Sequence, residues 1–246
     1  MIDAFYINRD RDTARRERIE EQLERAGTAA ERVSGIEGRN PPAWLPVRYG
    51  KNLTDGEVGC SASHLAAAQI IVDRGLKFAL VVEDDAILAP RFLVFVYIAI
   101  KKLPKDWDYL KLCRTPKRSV SPVDTCAGRF IVRYSRIPMG CAGYVLSQAG
   151  ARKLLTPRVV ENAIDVEVAQ PWLLDLNVFG ISPPIVTTPD ASANPSTIGS
   201  TRAKSVRSIG ASRVLFNVRK LGVAAYVRCW VWNVAGRRLL RSSSQA

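Results

Sequence analysis

The sequence lacks the hallmarks of several large protein classes. Its five cysteines are odd in number and show no paired spacing, which argues against a disulfide framework and favours a reducing cytosol. The longest apolar run, residues 92–100, is too short to cross a bilayer. The first strand pattern starts at residue 4, so we expect no targeting segment. No Walker loop and no Gly-x-Gly-x-x-Gly motif occurs. Because the cysteines favour a reducing compartment and we expect no targeting segment, we expect a cytoplasmic protein.

What is present is the pattern of a globular α/β protein. Hydrophobic residues make up 47% and charged residues 24% of the 246 residues, which is ordinary for one large domain with or without an appendage. Segments typical of strands and helices alternate, which predicts an α/β fold. We expect loops over residues 39–53 and 114–129 and a helix from 162 to about 176. A Ser/Thr/Asn/Pro segment at 187–200 separates a domain of residues 1–200 from a tail of residues 201–246.

The most informative feature is an apolar strand, residues 80–82, that ends in Glu83, Asp84 and Asp85. Adjacent carboxylates repel one another and need a positive neighbour. At the carboxyl end of a strand in an open α/β sheet, where ligands bind, a divalent cation is the expected neutraliser. Alternate strand residues share a face, so Glu83 and Asp85 can point together while Asp84 turns away. The alternative is an acidic turn that caps the next helix.

Two further places carry candidate binding residues. Asn8, Arg9 and Arg15 lie at the end of the first strand and on the following helix, where an α/β sheet receives a nucleotide, although most of the six basic residues at 9–25 are expected to be simply solvated. Ser63 and His64 lie on a helix that starts with the capping box of residues 54–57. His64 is the only histidine, and it is either a general base or a structural side chain that holds a loop.

The tail is strongly basic. After Asp190 come ten basic residues and no acid, which leaves +3 of the net charge of +13 for residues 1–190. Trp230 and Trp232 lie among valines in the same tail. Arginines mixed with aromatic and aliphatic groups suit an anionic membrane surface, whereas the alternative is a solvated basic helix. No module for nucleic acid is visible, and we expect no nucleic-acid partner.

The order of these motifs resembles glycosyltransferase family 25, the bacterial lipooligosaccharide glycosyltransferases. The matching segments are YIN at 6–8 with Arg15, SGIEG at 34–38, LTDGEVGCSASH at 53–64, LVVEDDA at 80–86, and the strand–helix segment 140–155. The resemblance implies a GT-A-like, Rossmann-type nucleotide-sugar-binding domain. It also implies a UDP-sugar donor, a glycan or glycolipid acceptor and inversion at the anomeric carbon.

The resemblance also implies roles for individual residues. Asp85 becomes a ligand of Mn²⁺ or Mg²⁺, Glu83 or Asp84 faces the ribose or donor sugar, and Ser63 and His64 bind the donor or support the site. An inverting transfer needs a base for the acceptor hydroxyl, usually a carboxylate. Our candidates for that base are Asp165 and then Glu167, although Asp165 is equally suited to cap a helix. This chain has no late histidine for the metal, so Asp190 or water takes that place.

We therefore expect an inverting hexosyltransferase that moves galactose from UDP-galactose to a lipopolysaccharide-type acceptor. Its tail would hold it, as a peripheral protein, at the inner face of the cytoplasmic membrane. The alternative is a catalytically silent relative that binds a nucleotide sugar or serves as a scaffold in envelope-glycan assembly.

Overall fold

The structure, a computed structural model, describes residues 2–116, 118, 120–189 and 210–231. The strands are β1 (Asp3–Asn8), β2 (Glu31–Ser34), β3 (Val47–Tyr49), β4 (Phe78–Glu83), β5 (Ile87–Leu88), β6 (Tyr109–Lys111), β7 (Val120–Cys126), β8 (Arg129–Tyr134), β9 (Gly143–Ser147), β10 (Arg158–Val160), β11 (Val178–Ser182) and β12 (Val186–Thr187). The helices are α1 (Thr13–Arg25), α2 (Asp55–Asp73), α3 (Phe92–Lys102), α4 (Gln148–Leu154), α5 (Ile164–Val168) and α6 (Gly210–Leu221). A 3-10 turn covers Pro171–Leu173, and residues 223–231 are helical.

Eight of these strands form one mixed sheet in the order β2-β1-β4-β9-β6-β11-β8-β7. β1 is parallel to both β2 and β4, whereas β9 runs antiparallel between β4 and β6. The register pairs Ile7 with Glu83, so the carboxyl ends of β1 and β4 lie side by side. The predicted α/β class is confirmed, and the two polar segments that follow these strands meet at one edge of the sheet.

The sheet is covered on both faces, which explains why β4 is a continuous apolar run. Val81 faces the core that α2 closes with Leu65, whereas Leu80 and Val82 face the core that α3 closes with Phe92. All five side chains are at most 1% exposed. Each such burial stabilises the fold by about 1.5–3 kcal/mol, and the end of β4 is therefore held rigidly.

Helix α2 begins as its sequence predicts. The Thr54 hydroxyl accepts a hydrogen bond from the Glu57 N–H at 3.3 Å, and the Glu57 carboxylate accepts one from the Thr54 N–H at 3.0 Å. Within the first turns, a Cβ on Gly59 would lie 2.4 Å from the Ile36 carbonyl oxygen. Only glycine allows this approach, which fixes the helix against the loop after β2 and positions His64 one turn further on.

Three predictions about loops and helices are wrong. Residues 114–129 include β7, whose polar sequence suits an edge strand that pairs only with β8. The loop 39–53 contains β3, which pairs with β10. The helix expected at 162–176 stops at Val168 and continues only as a 3-10 turn, since Pro171 has no N–H to continue an α-helix.

The described part of the tail is helical, with α6 followed by a break at Gly222 and the helix of residues 223–231. Within the described residues, no helix has both the length and the apolar character needed to span a bilayer.

Candidate functional site

A cavity of about 1450 Å³ opens beside the carboxyl end of β4. Charged side chains of both signs line it: the acids are Glu57, Glu83, Asp85 and Asp165, and the bases are Arg15, Arg114, Arg118, Arg133, Arg136, Arg213 and Lys220. Pockets for one small ligand measure about 300–1,000 Å³. The cavity is therefore large enough for two ligands, and its charges suit polar, anionic groups.

The three acids that follow β4 point to different places. Glu83 and Asp85 line the cavity, as strand alternation predicts. Asp84 is 9% exposed and turns toward β1, where its carboxylate accepts a hydrogen bond from Asn8 Nδ2 at 2.8 Å and pairs with Arg15 Nη1 at 3.5 Å. Asn8 and Asp84 thus hold two strand ends together, and Arg15 is the member of this group that also reaches the cavity.

Asp85 is a partly buried acid of the site, and one of its carboxylate oxygens is unsatisfied among the described residues. Its Oδ1 atom is buried and has no hydrogen-bond partner among the described residues. Burial, followed by the charges of Glu83 and Asp84, raises the pKa of Asp85 to about 6, whereas Arg15 and Arg114 lower it. A buried carboxylate oxygen without a donor is costly. A hard divalent cation would satisfy it, since Mn²⁺ and Mg²⁺ prefer carboxylate oxygens as ligands.

His64 holds Glu83 in place. His64 is 1% exposed, with Nε2 at 3.1 Å from Glu83 Oε1 and Nδ1 at 2.8 Å from the Tyr144 hydroxyl. Because the Glu83 carboxylate only accepts, the metal-free contacts are satisfied with the His64 proton on Nε2, and the Tyr144 hydroxyl then donates to Nδ1. His64 then donates from Nε2 to Glu83. The geometry favours the supporting role for His64 over that of a general base.

Asp165 stands on the wall formed by α5 and the Gly140 turn. Its Oδ2 atom accepts a hydrogen bond from the Gly140 N–H at 3.0 Å. The N-cap of α5 is Ala163, two residues earlier, so the alternative in which Asp165 caps the helix is wrong. Asp165 is a carboxylate that faces the cavity and is oriented by a backbone donor.

Several residues named from the sequence do not reach the cavity. Arg9 pairs with Asp12 at 2.6 Å. Ser63 Oγ accepts from the Ile36 N–H at 2.9 Å and donates to the Gly59 carbonyl at 2.7 Å. These two side chains stabilise the loops after β1 and β2, and their expected contact with a donor stays a prediction.

Glu167 and Asp190 also need comment. Glu167 is 3% exposed and forms an ion pair with Arg158, away from the cavity. Burial raises its pKa, and Arg158 opposes that shift. Its role as second candidate base stays a prediction, and its pairing with Arg158 favours Asp165 over it. Asp190 lies outside the described residues.

Two features of the site have no signal in the local sequence pattern. Tyr144, which is buried and does not line the cavity, is predicted from the sequence only as part of the segment 140–155 that resembles the family. Part of the basic wall, Arg114 and Arg118, comes from residues expected to form turns, and another part comes from α6, whose Asn217 donates to the Ser135 carbonyl at 2.9 Å. Lys220 on the same helix lies 3.5 Å from Asp175. The first tail helix, α6, therefore helps to form the cavity. Local sequence patterns do not predict this contact between the tail and the domain.

Comparison with known proteins identifies the family of the chain. The chain matches glycosyltransferase family 25 (LPS biosynthesis protein) over residues 1–168. It is 28% identical over 185 residues to procollagen galactosyltransferase 1 of Danio rerio, which covers 67% of this chain and 30% of that protein. It is 29% identical over 194 residues to the inactive glycosyltransferase 25 family member 3 of Mus musculus, which covers 70% of this chain and 32% of that protein. The chain thus spans about a third of the length of these relatives.

Among solved structures, it is similar to a glycosyltransferase involved in the glycosylation of the major capsid of PBCV-1. The TM-score is 0.38 and the identity 9%, over 77% of this chain and 92% of the other. The family match covers well over half of the chain and contains both β1 and the acid-tipped end of β4. The resemblance noted in the sequence is therefore confirmed, and the chain belongs to glycosyltransferase family 25.

Proposed function

We propose that this protein transfers a sugar from a nucleotide-sugar donor to a glycan acceptor in the cavity beside β4. The observation that carries the proposal is Asp85, which lines a cavity together with Glu83 and Asp165 and whose buried Oδ1 lacks a partner among the described residues. Membership of family 25 supports the same reaction class.

Asp85 and Glu83 form the donor end of the proposed site. Asp85 would hold Mn²⁺ or Mg²⁺, and Glu83, oriented by His64, would contact the ribose or the donor sugar. The ion, when bound, neutralises the charge that develops on the departing diphosphate. Arg15 and Arg114 line the cavity and lower the pKa of Asp85 through their charge. Guanidinium groups in that place suit the phosphate oxygens.

Asp165 forms the acceptor end. Its carboxylate would take the proton from the acceptor hydroxyl as that oxygen attacks the anomeric carbon, and the bond to the diphosphate oxygen would break on the opposite side. This single displacement inverts the anomeric centre. The Gly140 N–H bond to Oδ2 at 3.0 Å orients the base without neutralising it.

For the individual substrates, we propose galactose from UDP-galactose and a lipopolysaccharide-type or related glycan acceptor. The name of the family and the galactosyltransferase relatives support these choices. The tail supports a location at an anionic membrane surface, since its helices expose apolar side chains near basic ones. The exposed apolar residues are Val214, Leu215, Val223, Val227, Trp230 and Val231.

A second candidate is a catalytically silent protein that binds a nucleotide sugar or scaffolds glycan assembly. Two relatives described as inactive, at 29% identity in Mus musculus and 28% in Homo sapiens, support this second candidate. In that case the cavity would bind a donor without turnover.

The experiment is a donor screen on the purified full chain. Release of the nucleoside diphosphate is measured across nucleotide sugars with Mn²⁺, with Mg²⁺ and with a chelator. We expect metal-dependent release from one donor and a loss of at least about 100-fold, or about 3 kcal/mol, in Asp85→Asn. The matched control is Asp124→Asn, which removes an exposed carboxylate paired with Lys102.

The outcomes separate the two candidates. Binding of a nucleotide sugar without release, with or without added glycans, would favour the silent protein. Neither binding nor release with any donor would overturn both. Release that is unaffected by the chelator and by Asp85→Asn would overturn the metal assignment.

A further inference from the structure

A second set of potential metal ligands lies at the base of the cavity, next to Asp85. The thiol of Cys60, a ring nitrogen of His64 and a carboxylate oxygen of Glu83 all lie within 4.8 Å of one another. Cys60 and Glu83 line the cavity, and His64 is buried behind them. The three donors therefore converge on one point that remains accessible from the cavity.

The backbone holds these donors on rigid elements. Cys60 and His64 are four residues apart on α2, so they share one face of the helix. Glu83 ends β4, whose preceding side chains are fully buried. Because α2 and β4 pack in the same core, their relative position is set by the fold and not by a loop. This is the support that a preorganised metal site requires.

The chemistry of this set differs from that of Asp85. Around a zinc ion, with Zn–S of about 2.3 Å and Zn–N of about 2.0 Å, donor atoms lie roughly 3–4 Å apart. His64 Nε2 and Glu83 Oε1 are already 3.1 Å apart. A thiolate and an imidazole prefer zinc-class ions, whereas carboxylate oxygens alone suit Mg²⁺ and Mn²⁺.

The outer neighbour of His64 also fits a metal site. Histidine ligands of metals usually donate their second ring N–H to a fixed oxygen. The Tyr144 oxygen lies 2.8 Å from His64 Nδ1 and, as a hydroxyl, both donates and accepts. In the metal-free site the His64 proton lies on Nε2 and faces Glu83; with an ion bound at Nε2 the proton would lie on Nδ1, and the Tyr144 oxygen would accept it.

We propose that Cys60, His64 and Glu83 form a binding site for a zinc-class divalent ion, with the fourth coordination position open to the cavity. On binding, Cys60 releases its thiol proton to solvent and coordinates as thiolate, while Nε2 of His64 gives up its proton and Nδ1 takes one up, so that the Nε2 lone pair is available to the ion. Three protein ligands with one open position are the usual arrangement of an accessible zinc site. The site needs neither a donor nor turnover, so its test is independent of the proposed function.

Occupation of this site has a consequence for its neighbour. Glu83 belongs to both sets, and a zinc-class ion would withdraw its carboxylate from the donor end. We therefore expect Zn²⁺ to compete with the reaction that Mn²⁺ or Mg²⁺ supports. This competition is a consequence of Zn²⁺ binding at the site, and the proposal is tested by the binding itself.

The test uses Co²⁺ as a spectroscopic substitute for Zn²⁺ on the full chain without nucleotide sugar. We expect a thiolate-to-cobalt absorption band in the near ultraviolet, its loss on addition of Zn²⁺, and its absence in Cys60→Ser. The matched control is Cys126→Ser, since Cys126 is a buried thiol that donates to the Phe95 carbonyl at 3.2 Å and lies outside the cluster. That variant should keep the band.

A second measurement on the unaltered chain guards against a misfolded variant. Zn²⁺ should slow alkylation of Cys60 at least about 10-fold, mapped by mass spectrometry, because a coordinated thiolate is a poorer nucleophile. Mg²⁺ should leave the rate unchanged. The absence of a thiolate band, its persistence in a folded Cys60→Ser, or equal alkylation rates with and without Zn²⁺ would overturn the proposal.

Discussion

The Nε2 atom of His64 lies 3.1 Å from the Oε1 atom of Glu83, and this contact joins the only histidine of the chain to the strand end that faces the cavity. The residues are 19 positions apart and come from α2 and β4. Because Tyr144 holds the other side of the ring, the imidazole has one orientation. The Glu83 carboxylate is therefore held by His64 in a fixed orientation at the cavity wall.

The first prediction concerns this alignment. His64→Ala should lower kcat/KM for the donor about 10- to 100-fold, the range found when outer-shell partners of a site are removed. Tyr144→Phe should have a smaller effect and lower the free energy of unfolding by about 1 kcal/mol, since it removes one buried hydrogen bond. Steady-state kinetics and denaturant unfolding measure both.

Tyr109→Phe is the control, since its ring stacks on Tyr144 with centroids 4.5 Å apart; activity should be unchanged. Because His64 is assigned a positioning role, His64→Ala should lower the rate by the same factor at every pH and should leave both the acidic and the basic limb of the pH–rate profile in place. Loss of a limb in His64→Ala would identify His64 as a proton carrier instead.

The second prediction is a pH dependence set by Asp85. Its pKa is raised to about 6 by burial and by Glu83 and Asp84, above the ordinary value of about 3.9 for aspartate. Below pH 4 the group is protonated in both the folded and unfolded states and costs nothing. As pH rises from about 4 to 6, the unfolded chain ionises first and stability is lost, by at most about 3 kcal/mol.

Without divalent metal, the free energy of unfolding of the unaltered chain should therefore fall relative to that of Asp85→Asn as the pH rises from 5 to 7. Thermal unfolding of both proteins in a chelating buffer measures the difference. Added Mn²⁺ should restore the stability of the unaltered chain above pH 6, where Asp85 is ionised. Identical pH profiles for the two proteins would contradict the role of burial at Asp85.

The third prediction assigns the base. Asp165→Asn should lower kcat by about 10²–10⁴-fold, the usual contribution of a general base, and should leave the KM for the donor nearly unchanged. The asparagine keeps a carbonyl acceptor for the Gly140 N–H, so the fold should be retained. Single-turnover transfer to an active acceptor measures the chemical step.

Glu167→Gln is the comparison variant for Asp165→Asn. It weakens the buried pair with Arg158 and should cost about 1–3 kcal/mol of stability while kcat is preserved at a temperature where the variant is folded. A large loss of kcat in Glu167→Gln, together with little effect of Asp165→Asn, would reverse the assignment.

The fourth prediction separates the two functions of the tail. Truncation after Leu221 removes the exposed helix of residues 223–231 and four arginines, Arg228, Arg237, Arg238 and Arg241, but keeps α6 on the cavity. Binding to vesicles with anionic lipid should weaken by about 1 kcal/mol per basic residue lost. Transfer to a water-soluble acceptor should persist.

Sedimentation with anionic and with neutral vesicles measures the first effect. The control is truncation before Gly210, which also removes Asn217 and Lys220 from the cavity and should lower transfer. Unchanged sedimentation of the shorter chain with anionic vesicles would contradict the proposed membrane surface.

Local patterns predicted what depends on neighbouring residues. The Thr54–Glu57 capping box sets the start of α2 because all of its partners lie within one turn. The alternation of Glu83, Asp84 and Asp85 follows from strand geometry alone. By contrast, β7 was missed because an exposed edge strand lacks the apolar alternation that marks a half-buried one.

The sequence by itself determined the α/β class and the acid-tipped strand, since each depends on residues close together in the chain, and the order of its short motifs carried the resemblance to family 25. Only the tertiary structure decided which acids share the cavity. It brought Asp165 to the same space as Asp85, turned Asp84 toward Asn8 and placed Tyr144 behind His64, 80 residues away. These contacts depend on strand register and on the packing of α2 against the sheet, which are set by the burial of apolar surface across the whole domain.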